Sequence, residues 1–350
     1  MNTYELLRTF DLEKIEGFLD KLMPDGGLSF GQLVVGMMSG DIDGSFYLLW
    51  SALKQSCLYG FSDGKKLFAT LLLFGIMGAL LKNASGMLKG KQAMQLAGYF
   101  VLLLAALSLF QGFDTALTIC QTVVSNSSDF MRIFLPVFCL SLGLTHGTMT
   151  AYGYYQFVFL VIYLLQVVLL RIFLPCTKCY LFLAFMNQLS QDRRFEGILH
   201  LLEKGISMGF KVLTYVVLGS GMLRSFLFVQ VDHVNKTVLN KAIGAIPIVG
   251  DVTDSATQIL LSCAALVKGS LGSAALIVLV LVCLLPLSKL LFLYASLQLS
   301  AAFLGILGEK ELMRTVQQAG KGYFFLFQIA VLTLLTFALS VAMMLQLKAG

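Results

Sequence analysis

Long apolar runs separated by short polar connections dominate the chain, a pattern that predicts membrane-crossing helices. Such a helix needs about 20 apolar residues, because each residue rises about 1.5 Å and the hydrocarbon core is about 30 Å thick. The first run is short, so the lysines beside it would have to extend toward the interface. Six segments fit or approach this length: Leu67–Leu81, Ala93–Phe110, Tyr152–Leu174, Phe210–Val229, Ala274–Leu293 and Tyr323–Leu345.

Two further apolar runs are shorter or richer in Gly and Thr. Ile133–Thr150 and Thr257–Lys268 are candidates for half-helices that enter and leave the membrane on one side. With them, the predicted fold class is all-α: a polytopic membrane bundle with about six to eight membrane segments.

The first 66 residues differ from the rest, because they contain nine acidic and six basic residues and have a soluble composition. Apolar residues between Leu6 and Leu22 recur at helical spacing and predict an amphipathic helix of about five turns. A second helix is expected after a turn at Asp41–Ser45. No secretory signal is recognised in the first twenty residues. We predict an extracytoplasmic segment over 1–66 and a transmembrane domain over 67–350.

Composition and motifs exclude several functional classes. Apolar residues make up 58% of the chain and charged residues 13%, about half the charged share of a soluble domain, which excludes a cytosolic enzyme. The net charge of +6 is scattered, so nucleic-acid binding is not expected. Cys176 and Cys179 form a CxxC without further ligands and are interpreted as packing residues. No catalytic motif occurs, and no enzymatic activity, cofactor or metal is expected.

Lysine and arginine in the connections predict the orientation. Residues 82–92, 175–209 and 305–322 contain ten Lys and Arg, whereas 111–130 and 230–256 contain two. Because cytoplasmic loops carry the excess of basic residues, the three basic connections are predicted inside and both termini outside.

Four of the five prolines are in register. Pro136 and Pro175 are 39 residues apart, as are Pro247 and Pro286, and the pairs are offset by 111. This offset predicts a parallel internal repeat, which in membrane proteins commonly encloses a path or a binding site. The alternative is that each proline simply breaks a helix where neighbours satisfy the freed carbonyls. The predicted units are 94–204 and 205–315.

The four prolines and the charged residues near them are candidate path residues, which would kink the membrane helices or line a path through the membrane. Lys178, Lys268 and Lys289 either extend to the interface or face a wet interior. Asp251 and Asp254 either cap a helix or take part in a proton or cation relay.

A series of short features recurs in a distinctive order along the chain: Gly64–Lys66, Ala245–Gly250, Asp254–Thr257, Lys268-Gly269 with Gly272, Pro286 with Lys289, and Ser300–Ala302. No one of these motifs is diagnostic alone. In this order they resemble the stage III sporulation protein AE family, most strongly from about residue 235 to 320.

The resemblance implies a non-enzymatic membrane subunit of the secretion-like channel that links mother cell and forespore in endospore-forming bacteria. It implies location in the mother-cell membrane around the forespore, and three kinds of partner: a cytoplasmic ATPase, ring-forming membrane proteins and a forespore membrane partner. The alternative is a secondary transporter that moves a small solute alone, as the repeat suggests. The candidate docking residues are Arg193, Arg194, Lys204, Lys310, Arg314 and Lys321.

Overall fold

The protein is helical throughout the part of the chain that the computed structural model describes. The described ranges are 13–22, 29–39, 42–85, 91–146, 148–189, 194–243 and 250–346. Within them, side chains are not described at 13, 22, 42–49, 51–53, 55–57, 59, 63, 82–95, 142–152, 154–155, 220–265, 343–344 and 346. The helices are α1 (Glu13–Leu22), α2 (Phe30–Ser39), α3 (Ile42–Ser85), α4 (Lys91–His146), α5 (Thr148–Val168), α6 (Leu174–Leu189), α7 (Glu196–Ile243), α8 (Gly250–Ile306) and α9 (Lys310–Gln346), with a π-helical segment, Leu169–Phe173, between α5 and α6.

Among the described residues, five helical stretches are long and apolar enough to cross a membrane, so the predicted fold class, an all-α membrane bundle, is confirmed. They coincide with five of the six predicted segments. The sixth, Phe210–Val229, lies in α7, where side chains from residue 220 onward are not described, and this crossing stays a prediction. The five stretches are Gly60–Leu81, Leu96–Ser141, Gln156–Leu189, Leu266–Ile306 and Lys310–Ala342.

Helix α4 is continuous over 56 residues and contains Pro136, so the predicted connection at 111–130 and the half-helix at 133–150 are wrong. The polar residues that suggested a connection do not end the helix, because their hydroxyls bond to its own carbonyl oxygens. Such bonds, to the carbonyl four residues earlier, are made by Thr115, Thr118, Thr122 and Ser128.

Helix α8 is also continuous, over 57 residues, so Thr257–Lys268 is not a half-helix. The hydroxyls of Ser270 and Ser273 bond to carbonyl oxygens of the preceding turn. Pro286 is accommodated inside the helix. Pro175, by contrast, follows the π-helical segment, whose wider turn relieves the clash of a proline ring with the preceding turn.

The N-terminal helices pack against the bundle. Helix α1 covers the second half of the predicted amphipathic helix; residues 1–12 lie outside the described part. The ring of Phe18 in α1 lies 6.0 Å from that of Phe130, and the ring of Phe30 in α2 lies 6.4 Å from that of Phe134. Helix α2 was not predicted. Helix α3 begins at Ile42, within the predicted turn, and runs unbroken into the first span.

The long helices alternate in direction. Along α3 and α8, Gly64 lies against Phe292 and Gly75 against Leu304, so these two helices run the same way. Helices α4 and α9 run the opposite way, and the Tyr323 hydroxyl of α9 donates a hydrogen bond to the Leu109 carbonyl of α4 over 3.1 Å. Helix α9 is central, because 56% of its most apolar stretch is buried, against 17% for α3.

Candidate functional site

The turn between α8 and α9 defines one end of the bundle. Gly308 has a φ of +77°, in the left-handed region. Its N–H donates to the Gly305 carbonyl over 3.2 Å, and the Glu309 N–H donates to the Leu304 carbonyl over 3.1 Å. These two bonds form a Schellman motif, which satisfies the last carbonyls of α8 and reverses the chain within three residues. Helix α9 therefore starts beside the end of α8.

Replacing Gly308 by alanine should lower the free energy of unfolding by about 1 kcal/mol, because a β carbon is strained at this φ. Thermal or SDS unfolding of the purified protein would measure the loss. Gly308→Asn is the control and should lose less, since asparagine tolerates this region. Equal stability of all three proteins would show that the turn does not need the left-handed residue.

Two other connections reach the same end. The Gln188 side chain near the end of α6 donates to the Glu311 carbonyl in α9 over 3.2 Å. The buried side chain of Asn187 accepts a hydrogen bond from the Phe195 N–H over 3.2 Å, which ties α6 to the start of α7. Helix α3 ends here as well, because Gly78 lies beside Glu309. All three basic connections therefore lie at one end, which we call the basic end.

An ion pair fixes α7 to α9 near this end. The Lys321 ammonium lies 2.7 Å from a Glu203 carboxylate oxygen, and the two side chains are 50% and 29% exposed. Because solvent screens such a pair, its contribution to stability is about 0.5 kcal/mol. Its main effect is to align the N-terminal part of α7 with the N-terminal part of α9.

Reversing one of these charges should weaken the contact, and reversing both should restore it. Glu203→Lys alone places two cations together, and we expect a stability loss of about 1 kcal/mol, since repulsion replaces attraction. The double variant Glu203→Lys with Lys321→Glu should regain most of the loss. Unfolding curves of the three proteins at low and high salt measure the coupling, and additive losses would contradict a direct pair.

The basic end presents the candidate docking residues to solvent. Arg194, Lys204, Lys310 and Arg314 are exposed, while Arg193 lies outside the described residues. Lys321 is half-exposed and bound to Glu203. Acidic residues occupy the first turns of α7 and α9, where they complement the helix dipoles. The structure thus places five of the six predicted docking residues in the N-terminal parts of α7 and α9 or directly before them, among Glu196, Glu203, Glu309 and Glu311.

The candidate path residues do not form one cluster. Lys268 and Lys289 are 21 residues apart on α8, which separates them by about 32 Å along the axis. Lys268 is 4% exposed, whereas Lys178 is exposed and Lys289 partly buried. Pro136 and Pro175 are exposed, and Pro286 is partly buried. Pro247 and the side chains of Asp251 and Asp254 lie outside the described residues.

Two features of the basic end were missed in the sequence. Gly308 follows an apolar run and precedes a charged helix start, a pattern that indicates a helix C-terminus and was available. The pairing of Glu203 with Lys321 joins residues 118 apart, and no local pattern predicts it.

A family model and a curated protein match the chain. The model described as Stage III sporulation protein AE matches residues 28–347. The curated protein, stage III sporulation protein AE of Bacillus subtilis (strain 168), is 21% identical over 280 residues, which cover 79% of this chain and 69% of that protein. No solved structure matches the chain.

Proposed function

Because the chain belongs to the stage III sporulation protein AE family and so has a role in sporulation, we propose that it is a membrane subunit of the channel between mother cell and forespore. The proposed location is the mother-cell membrane around the forespore. The proposed partners are a cytoplasmic ATPase, ring-forming membrane proteins and a forespore membrane partner. In this function the protein is not an enzyme.

The observation that carries the proposal is the basic end. Three connections from different parts of the chain have their helix ends there, and two of them expose Arg194, Lys204, Lys310 and Arg314. Basic connections are retained on the cytoplasmic side of membranes, so this end suits a cytoplasmic partner. The exposed basic residues also favour a partner that presents acidic residues to them, since complementary charge accelerates and orients association.

Site-specific photo-cross-linking in a sporulating host tests the proposal. A photoreactive residue replaces Lys204 or Arg314 at the basic end, and Thr122, exposed on α4, serves as the control position. We expect adducts with a cytoplasmic ATPase from the two basic-end positions only. ATPase adducts from Thr122, or none from the basic end, would contradict the proposed docking surface.

A second candidate function is solute transport by the chain alone, which the burial of Lys268 favours. This lysine is 4% exposed within the stretch Leu266–Ile306. Ionisable residues buried in membrane helices commonly mark substrate or ion pathways. Purified protein in liposomes would then catalyse solute flux, and Lys268→Met would abolish it. Absence of flux across a panel of ions and small metabolites would count against transport.

A further inference from the structure

An open groove runs between α3 and α8 on the outside of the bundle. Its volume is about 1030 Å³, at the upper end of the range for small-molecule sites. Apolar side chains form both walls, among them Phe68, Leu72 and Ile76 from α3 and Leu299 from α8. The groove lies along the candidate spans Gly60–Leu81 and Leu266–Ile306, so it faces the hydrocarbon of the bilayer.

The chemistry of the groove is asymmetric. Its lining includes one charged side chain, Lys65, and one hydroxyl, Ser296. The Ser296 hydroxyl already donates to the Leu293 carbonyl over 2.7 Å, so it does not attract a polar ligand. Lys65 is exposed and lies near one end of the groove. A matching ligand therefore has a long apolar part and an anionic group at one end.

The first part of the groove, beside Lys65, fits an acyl chain of one leaflet. From Lys65 to Leu80 the helix rises about 22 Å, which is more than the roughly 15 Å of hydrocarbon in one leaflet. Lys65 and Lys66 directly precede the apolar run that begins at Leu67, so Lys65 lies at the level of the headgroups. An acyl chain below this headgroup region therefore lies along Phe68, Ala69 and Leu72.

Lys65 also lies on the side of the membrane where lysine is unusual. Residues 60–64 of α3 pack beside Ser288 and Phe292, while the basic end begins near Gly78 and Glu309. Lys65 is thus about 20 Å along α3 from the basic end. The excess of basic residues in membrane proteins lies on the opposite side, so topology alone does not account for a lysine here.

We propose that the α3–α8 groove binds one anionic phospholipid, with an acyl chain between the two helices and its phosphate beside Lys65. A flexible chain fits between the large side chains on the rim, where Leu73 is 60% and Leu80 is 64% exposed. The exposed rim carries the large side chains of Leu73, Ile76 and Leu80, which would hold the backbone of a partner helix away from the groove.

Native mass spectrometry of the full chain in detergent tests the headgroup contact. Delipidated protein is titrated with phosphatidylglycerol or with phosphatidylcholine of the same acyl chains. We expect one tightly retained phosphatidylglycerol and weaker retention of phosphatidylcholine. Lys65→Gln should weaken phosphatidylglycerol binding about fivefold, the effect of removing one lysine from an anionic lipid surface. Lys66→Gln, an exposed neighbour outside the groove, should change it less than twofold.

Groove-filling variants test the acyl-chain contact. Ala69 lines the groove and Thr70 does not, although both are exposed. Ala69→Trp should reduce retention of both lipids, and Thr70→Trp should leave it unchanged. Equal retention of the two lipids by the native chain, equal effects of the two lysine variants, or equal effects of the two tryptophan variants would overturn the proposal. So would disulfide-linked dimers of Leu73→Cys in phosphatidylglycerol bilayers, which would identify a second copy as the occupant.

Discussion

Replacing Phe134 by alanine is expected to lower the free energy of unfolding by about 3 kcal/mol. This value is the low end of the range for truncating a buried phenylalanine to alanine. Phe134 is fully buried in α4, and its ring is stacked 5.7 Å from that of Phe130. The rings of Phe138 and Phe30 lie 5.5 Å and 6.4 Å away. Truncation leaves a cavity among all three, and the lost dispersion contacts have no replacement. The low end applies because lipid, unlike water, also solvates an exposed ring.

The loss should also loosen α2, because the Phe30 ring of α2 contacts Phe134, although α2 keeps its main packing against α8. Unfolding in detergent by heat or SDS gives the stability, and limited proteolysis between α1 and α3 reports the loosening. Phe134→Leu should lose about 1 kcal/mol, since most of the volume is kept. Leu140→Ala, at a site 60% exposed, is the surface control. A native-like Phe134→Ala protein with unchanged proteolysis would contradict this packing.

Replacing Gly64 by leucine should separate α3 from α8 and destabilise the protein by about 3 kcal/mol, the upper end for overpacking. A β carbon on Gly64 would lie 3.0 Å from the Phe292 carbonyl oxygen. One turn earlier, a β carbon on Gly60 would lie 3.2 Å from Ser288 backbone atoms. These neighbours belong to the backbone of α8, so they cannot turn away as a side chain would. The two glycines form a GxxxG contact, in which small residues let helices approach closely.

Gly98→Leu is the matched control, because a β carbon at Gly98 in α4 meets nothing within 4 Å. It should be neutral or slightly stabilising, since leucine has a higher helix propensity than glycine. A cysteine pair across α3 and α8, at Phe61 and Phe292, should cross-link in the native chain and much less in Gly64→Leu. Equal stability of the Gly64 and Gly98 variants would exclude the close contact.

The number and position of most spans could be predicted from the sequence, whereas their ends could not. Apolar length is a local property, so Ala274–Leu293 and Tyr323–Leu345 were recognised correctly. The ends were misjudged in α4 and α8, because serine and threonine look like connection residues when their bonds are unknown. In the structure, hydroxyls such as that of Thr118 bond within the helix and let it continue.

Part of the candidate site was likewise predictable. The basic connections were recognised from the Lys and Arg count, and their common end follows from alternating crossings. The sequence did not predict the contacts that join different helices at this end, such as the ion pair of Glu203 with Lys321, because such contacts depend on how the helices are rotated against each other. The doubling of units 94–204 and 205–315 stays a prediction.

The sequence by itself determined that this protein is a helical membrane bundle with its basic connections on one side. Both properties can be read from the sequence, because the length of an apolar run and the number of basic residues in a connection do not depend on which helices pack together. Tertiary structure alone decided that Gly60 and Gly64 meet α8, that α1 packs on α4 and α2 mainly on α8, and that a lipid-sized groove remains beside Lys65. Those features depend on which faces of distant helices meet, and packing of complementary shapes settles that only when the chain is folded.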